Sequence, residues 1–205
     1  MPKVFVVDDD ESFRLGLGRL LRSAGLHSEL FSSADDFLQR ASFSDVGCLL
    51  LDVRMKGLTG MDLQMRLEAA GAEFPIVFLT GHGDLPMGVQ AMKRGAVDFL
   101  TKPVDDEILL EAVRRALALH ERKHTARLEE DAIRVRIDSL TPREFVVLRC
   151  LLSGALNKQV AAHLGIAEIT VKVHRARVLG KMGVASMAEL TRMCDVVGVQ
   201  PTAVN

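Results

Sequence analysis

Five short apolar runs alternate with amphipathic stretches along roughly the first 120 residues, and this alternation limits the fold to a sheet with helical crossovers. The runs are predicted strands at residues 3–8, 27–31, 47–52, 75–80 and 97–101. The run Cys48-Leu49-Leu50-Leu51 is apolar without alternation, which is typical of a strand buried on both faces. We therefore predict an α/β domain with a parallel sheet and helices on both faces.

The length and composition of the chain suit a folded, cytoplasmic protein. Its 205 residues are 48% hydrophobic, which is enough for one large domain or two small ones. The three cysteines, Cys48, Cys150 and Cys194, form no Cys-x-x-Cys motif, so neither a disulfide framework nor a zinc site is predicted. The sequence shows no apolar run near the ~18 residues of a membrane span, so no membrane partner is expected.

Charge is distributed unevenly along the chain. Residues 1–122 carry 14 Lys and Arg against 19 Asp and Glu, a balance of −5, whereas residues 123–205 carry 12 against 8, a balance of +4. The two parts are therefore expected to face different partners. The basic excess of the second part fits nucleic acid about as well as it fits an ordinary solvated surface.

Acidic and phosphate-binding side chains stand where the predicted strands end. Asp8 ends the first strand and Asp9 follows it, Asp52 ends the third, Thr80 ends the fourth, and Lys102 follows the fifth. Ligand crevices form at the carboxyl edge of open parallel sheets. Crowded carboxylates repel one another unless a cation lies between them, and Mg²⁺ suits such a site. A hydroxyl and an ammonium group beside the metal predict phosphoryl chemistry with an Asp nucleophile.

Other acidic residues are better explained as helix caps. Asp10 and Asp105 stand immediately before predicted helices, where a carboxylate accepts bonds from free backbone N–H groups. Thr141-Pro142-Arg143-Glu144 and Ser186-Met187-Ala188-Glu189 have the form of capping boxes. After residue 140 the chain is therefore predicted to form a series of short helices.

Residues 1 to about 120 resemble the receiver domain of bacterial two-component response regulators. The resemblance rests on the motifs VVDDD, LLLDVRM, FLTGHG and AVDFLTKP. It implies a flavodoxin-like strand order 2-1-3-4-5 and a sensor histidine kinase as partner. Asp52 would accept the phosphoryl group, and Mg²⁺ would be held by Asp8, Asp9, Asp52 and the Arg54 carbonyl. Thr80 and Phe99 would change conformation together, Lys102 would pair with the phosphoryl group, and the Lys102–Pro103 bond would be cis.

One residue departs from this family pattern. Lys56 stands four residues after Asp52, where many relatives of the FixJ type carry Pro. We expect the loop that carries Arg54 to be less fixed as a result.

Residues 140 to about 200 resemble the LuxR-type helix-turn-helix of the FixJ/NarL regulators, through LTPRE, LNKQVAAHLGI and TVKVHRARVLGKMGV. A helical wheel of residues 168–182 puts Val171, Val178 and Met182 on one arc, and the other half carries small and cationic side chains. That second face suits the DNA major groove. The predicted DNA-binding residues are Lys172, Val173 and Arg177, with Lys158, Thr170, His174 and Lys181 as further contacts.

Some residues of this second part have two interpretations. Arg175 falls toward the packed arc, so an ion pair, with Glu144 as the candidate partner, is predicted for it rather than base contact. His174 either touches phosphate or packs inside the domain. The stripe of the last helix, which comprises Met187, Leu190, Met193, Cys194 and Val197, belongs either to a dimer interface or to the ordinary core.

These features together predict a transcription regulator with three parts. A receiver occupies residues 1–121, a helical linker that extends the preceding helix occupies 122–139, and an all-α four-helix helix-turn-helix domain occupies 140–205. Phosphorylation would promote a homodimer that binds double-stranded DNA and contacts RNA polymerase. A Mg²⁺-dependent phosphatase with an aspartyl nucleophile is the enzymatic alternative, but the acid it needs two residues after Asp52 is replaced by Arg54. A DNA-binding regulator that ignores phosphate is the third possibility.

Overall fold

The chain forms two compact units, Met1–His124 and Thr125–Asn205. The computed structural model describes residues 2–40, 46–72, 74–81 and 85–204. His82 and Gly83 of the FLTGHG motif lie outside the described residues. In the parts of the chain that are described, none of the helices combines the length and apolar character needed to cross a membrane.

The first unit is a five-stranded parallel sheet in the order β2-β1-β3-β4-β5, which confirms the predicted strand order. Its strands are β1 (Lys3–Val7), β2 (His27–Phe31), β3 (Gly47–Asp52), β4 (Ile76–Thr80) and β5 (Asp98–Thr101). Its helices are α1 (Glu11–Ser23), α2 (Ala34–Arg40), α3 (Gly60–Ala69), α4 (Leu85–Lys93) and α5 (Asp106–Asp138). Each predicted strand is present to within one residue at either end.

The sheet separates two apolar cores because successive side chains of a strand point to opposite faces. Phe5 and Val7 of β1 belong to one core, which is rich in aromatic rings, and Val4 and Val6 belong to the other. The second core is completed by α1 and by the first three turns of α5. Helices therefore cover both faces of the sheet, as predicted, and leave its carboxyl edge for polar side chains.

Helix α5 is a single element of 33 residues, and it continues through most of the segment predicted as a helical linker, residues 122–139. Asp105 caps its start, because one carboxylate oxygen accepts from the N–H groups of Glu107 and Ile108. With no Gly or Pro to interrupt it, the helix continues to Asp138.

The second unit contains the end of α5 followed by α6 (Pro142–Leu152), α7 (Asn157–Leu164), α8 (Glu168–Met182) and α9 (Met187–Val196). The capping box of Thr141 and Glu144 is present at α6. At α9 only half of the predicted box forms: Ser186 accepts from the Glu189 N–H, but the Glu189 carboxylate accepts from Ala185. Gly165, at φ 63°, makes the left-handed turn between α7 and α8.

The apolar stripe of α9 packs into the core of its own unit. Leu190 and Cys194 are fully buried, and Met187, Met193 and Val197 pack against the same cluster. Intramolecular packing thus accounts for this stripe, and its apolar residues supply no argument for a dimer.

Candidate phosphoacceptor site and DNA-binding surface

The polar residues predicted at the strand ends meet at one edge of the sheet. Asp8, Asp9 and Asp52 each offer a carboxylate oxygen within 4.8 Å of the others. The Lys102 ammonium lies 2.7 Å from Asp8 Oδ2 and 3.3 Å from Asp52 Oδ1. This convergence follows from the sheet order, because β1 and β3 are neighbours in register and β5 brings Lys102 to the same edge.

The Asp52 carboxylate lies in a poorly hydrated and acidic environment. Burial raises its pKa; the Lys102 ammonium opposes this shift and the neighbouring Asp8 carboxylate reinforces it. Asp8 is fully buried, whereas Asp9 is exposed. Within the described part of the chain, the Lys102 ammonium pairs with two of the three clustered carboxylates, Asp8 and Asp52, and a divalent cation would balance further negative charge there.

The donor set fits Mg²⁺. All three candidate side chains are oxygen donors, and a cation at this edge would be reached from solvent past the exposed Asp9. Asp8 Oδ1 accepts a bond from the Asp10 N–H at 2.9 Å, and Oδ2 accepts from Lys102, so Asp8 is oriented by two contacts. The predicted role of the Arg54 carbonyl as a further ligand stays a prediction.

The expected loosening of the loop at Lys56 stays a prediction, but the structure shows a contact there that the expectation did not include. Its backbone N–H donates to Asp9 Oδ2 at 3.2 Å, a bond that Pro at this position could not form. The loop is also tied by the Gly60 N–H, which donates to the Val53 carbonyl. Because this chain has Lys where many relatives have Pro, its loop has an additional backbone N–H that can bind Asp9. The chemistry of the lysine side chain does not indicate this contact.

Thr80 and Phe99, the predicted conformational pair, lie on neighbouring strands: Thr80 ends β4, and Phe99 is the second residue of β5. The Thr80 side chain is buried, and its hydroxyl donates to the Gly81 carbonyl at 3.2 Å. The Phe99 ring is half-buried against Phe78, with ring centroids 6.2 Å apart. Gly88 of α4 makes room for that ring, because a Cβ there would lie 3.0 Å from it. The Lys102–Pro103 bond is cis, as the resemblance implied.

Three residues that shape the site were not singled out from the sequence as site residues. The Phe13 ring lies 4.4 Å below the Lys102 ammonium, and Arg14 donates to the Asp8 carbonyl at 2.6 Å. Gly60 begins α3 so close to β3 that a Cβ would stand 2.3 Å from the Asp52 carbonyl oxygen. Only Gly60 carried a signal, as a glycine at the first position of a helix after a Thr cap.

The second unit presents the predicted recognition face on α8. Val171, Val178 and Met182 are fully buried, as the helical wheel predicted. Lys172, Arg177 and Lys158 are exposed, Val173 is 44% exposed, and Thr170 is half-buried. Lys172 makes an exposed ion pair with Glu168 one turn earlier, which DNA phosphate would replace at little cost.

Comparison with known proteins matches both units. Residues 4–114 match the response regulator receiver domain, and residues 138–194 match the bacterial regulatory proteins of the luxR family. The chain is 46% identical to Nodulation protein W of Bradyrhizobium diazoefficiens, over 96% of this chain and 86% of that protein. It is 45% identical to the transcriptional regulatory protein FixJ of Azorhizobium caulinodans, over 97% and 94%.

A solved structure is similar over the whole length. The response regulator StyR is 47% identical and superposes with a TM-score of 0.89, covering 95% of this chain and 98% of that one. This chain belongs to the two-component response regulators. It joins a receiver to a LuxR-type helix-turn-helix and is a signalling regulator of transcription, which sets aside the phosphatase alternative.

The predicted DNA contact of Lys181 stays a prediction, and the structure shows a second role for this side chain in the response regulator. Its ammonium is bound to the Glu144 carboxylate at 2.7 Å and to the Ser139 carbonyl at 2.9 Å, so its charge is used inside the domain. The predicted pairing of Arg175 with Glu144 is wrong, because Lys181 and the Thr141 N–H take that carboxylate. His174 is half-buried, and its Nδ1 is buried without a hydrogen-bond partner in the described part of the chain, which favours packing.

The Glu144 carboxylate makes the stability of the helix-turn-helix unit pH-dependent. The Lys181 ammonium and the Thr141 N–H lower its pKa to about 2 from an ordinary value of 4.5. Because the folded-state pKa is depressed, the stabilisation is complete above pH 4.5 and is lost as pH falls through about 2. Replacement of Glu144 by Gln should therefore lower the melting temperature at pH 7, and the difference from wild type should shrink steadily below pH 4.5.

Thermal unfolding of the two proteins between pH 7 and pH 2.5 measures this effect. Glu168→Gln is the matched control, since Glu168 forms only an exposed pair with Lys172. A Glu144→Gln difference that is constant with pH would show that the ion pair with Lys181 is not its source.

Proposed function

We propose that this response regulator is switched by phosphorylation of Asp52 by a sensor histidine kinase, and that the phosphorylated chain binds DNA as a homodimer. The receiver would comprise 1–121, the linker 122–139 and the DNA-binding domain 140–205. The observation that carries the proposal is the meeting of Asp8, Asp9, Asp52 and Lys102 at one edge of the sheet.

Asp52 is the proposed nucleophile because its carboxylate contacts the ammonium that would neutralise a phosphoryl group. An Asp52 Oδ atom attacks phosphorus while the bond from phosphorus to the kinase histidine nitrogen breaks. The other nitrogen of that ring carries a proton, so the histidine leaves as neutral imidazole and Asp52 becomes an acyl phosphate. Lys102 is already 3.3 Å from Asp52 and is placed to pair with the new phosphoryl oxygens. Mg²⁺ held by Asp8, Asp9, Asp52 and the Arg54 carbonyl would supply further charge neutralisation. In the proposed dephosphorylation, which the chain catalyses on itself, a water oxygen attacks phosphorus, the bond from phosphorus to the Asp52 oxygen breaks, and inorganic phosphate leaves.

Thr80 and Phe99 are the proposed readout of the phosphorylated state. The Thr80 hydroxyl would give up its hydrogen bond to the Gly81 carbonyl and donate to a phosphoryl oxygen instead. The Phe99 ring would then move into the space that the Thr80 side chain leaves. The surface around residues 85–118 then changes, and Val89 and Met92 of α4 are 55% and 47% exposed there. In this scheme phosphorylation shifts an existing equilibrium between an inactive and an active conformation. The unmodified chain therefore still populates the active conformation to a small extent and binds DNA weakly at high concentration.

The α8 face is proposed to read the operator. Lys172 and Arg177 would reach guanine edges or phosphates, and Val173 would touch a thymine methyl group. Lys158 and Thr170 would contact the backbone, and His174 would add at most a phosphate contact. Paired half-sites multiply the affinity of a small module, which is why dimerisation matters to regulation. RNA polymerase is the proposed partner of the DNA-bound form.

Phosphotransfer from a small phosphodonor tests the proposal. With Mg²⁺ present, the chain should take up close to one phosphate on Asp52, and its affinity for DNA should then rise. Turnover of many phosphates per chain would indicate a phosphatase, and unchanged DNA affinity after stoichiometric labelling would indicate a regulator that ignores phosphate.

A further inference from the structure

The last three turns of α5 have two different faces. One face packs on the helix-turn-helix core through Ile133, which is 3% exposed, and through Ile137. On the same segment Leu128 is 56% exposed and Val135 is 70% exposed. At 100° per residue these two side chains lie within about 20° of each other and well away from Ile133. The segment therefore carries a second apolar face that its own unit leaves in solvent.

The exposed face has the spacing of a coiled-coil seam. Thr125, Leu128, Ala132 and Val135 follow one another at intervals of three, four and three residues, all on helix and all exposed. These are the a, d, a and d positions of two heptads. Ile133 and Ile137, which pack on the helix-turn-helix core, occupy b and f positions and lie away from the seam. The a and d side chains of the seam therefore stay exposed to solvent.

The charges that flank the seam complement a second copy of the same helix. Asp131 and His124 occupy g positions, and Arg136 and Glu129 occupy e positions. In a parallel, in-register pair each g residue faces the e residue five places later on the partner helix. Asp131 would then face Arg136 of the other copy, and His124 would face Glu129. Arg136 donates one of its five N–H groups to the Met182 carbonyl, and no other hydrogen bond of its guanidinium is found within the described part of the chain.

We propose that residues 124–136 of α5 form a parallel two-stranded coiled coil with a second copy of this chain. The inference deepens the proposed homodimer and rests on it. Two heptads with Thr and Ala at the a positions are too short and too small to associate alone. Once phosphorylated receivers are paired, the two helices meet at high effective concentration, and the seam closes. Phosphorylation would thereby control an interface that contains no residue of the phosphorylation site.

Disulfide trapping at Leu128 tests the seam. The native thiols are buried and burial raises their pKa values, that of Cys48 to about 12, so they compete poorly for oxidation. Leu128→Cys in the full chain should form a covalent dimer at least ~10-fold faster after phosphorylation. Arg127→Cys, one residue earlier and at an outward c position, is the matched control and should show no such increase.

A second variant tests the flanking charges without altering the seam. Asp131→Arg would face Arg136 of the other copy and should weaken the phosphorylated dimer ~10-fold, whereas Asp195→Arg on the exposed side of α9 should not. A phosphorylated dimer, measured by sedimentation, in which residues 127 and 128 cross-link equally would overturn the coiled coil alone. A phosphorylated chain that stays monomeric would overturn the homodimer itself and the coiled coil with it.

Discussion

Phosphate incorporation into the Asp52→Asn variant is expected to fall at least ~1,000-fold, to the limit of detection, because the amide lacks the nucleophilic oxygen. Labelling with a radioactive phosphodonor in the presence of Mg²⁺, followed by mass mapping of the modified peptide, measures this loss. The neighbouring Asp8 is not expected to substitute, since it is fully buried and both of its oxygens accept hydrogen bonds.

The variant should remain folded, so that loss of labelling reports chemistry. Burial raises the pKa of Asp52, and a carboxyl with a raised folded-state pKa costs stability as pH rises through that value. Asn is neutral and does not lose stability by ionisation, so the free energy of unfolding of Asp52→Asn should be at least that of wild type at pH 7. The difference should disappear at acidic pH, where Asp52 is protonated in both the folded and the unfolded wild type. Normal labelling of this variant would place the phosphoacceptor elsewhere.

The double substitution of Lys172 and Arg177 by Ala should weaken operator binding by at least ~100-fold. Each side chain is exposed on α8, and a cation that reaches a base edge contributes about 1–3 kcal/mol. The slope of log affinity against log salt should also fall, by ~0.9 for each DNA phosphate that the variant no longer neutralises. Fluorescence anisotropy of the phosphorylated protein on a duplex selected from a random library measures both quantities.

Arg192→Ala is the control for charge alone, because Arg192 is exposed on α9. Its affinity should stay within about twofold of wild type. Lys181 is unsuitable as a control, since its removal would leave the buried Glu144 carboxylate without its cation. Equal losses in the Arg192 and α8 variants would mean that α8 contributes only general positive charge.

Most of the receiver could be predicted because its strands are uninterrupted apolar runs. Such runs fix the strand positions, and parallel strands bring their carboxyl ends to one edge; thus Asp52 and Lys102 could be placed together although fifty residues separate them. The buried arc of α8 was equally predictable, since a helical wheel needs only local spacing.

The contacts that could not be predicted depend on which helices pack together. Lys181 lies on the outward half of the α8 wheel, yet α6 brings Glu144 beside it. The bond from the Lys56 N–H to Asp9 depends on a loop path that the sequence pattern does not specify. Phe13 lies beneath the Lys102 ammonium only because α1 packs against the sheet, and the sequence pattern does not specify that packing.

The close approach of α3 to the end of β3 has a consequence for the natural variation of this protein. Any side chain at position 60 would overlap the Asp52 carbonyl and push the two elements apart. A substitution of Gly60, a residue with no charge and no reactive atom, is therefore expected to abolish phosphorylation of Asp52 in the same way as the loss of an acidic metal ligand. Sequence surveillance of such regulators should rank that glycine with the chemically active residues when functional and defunct copies are sorted.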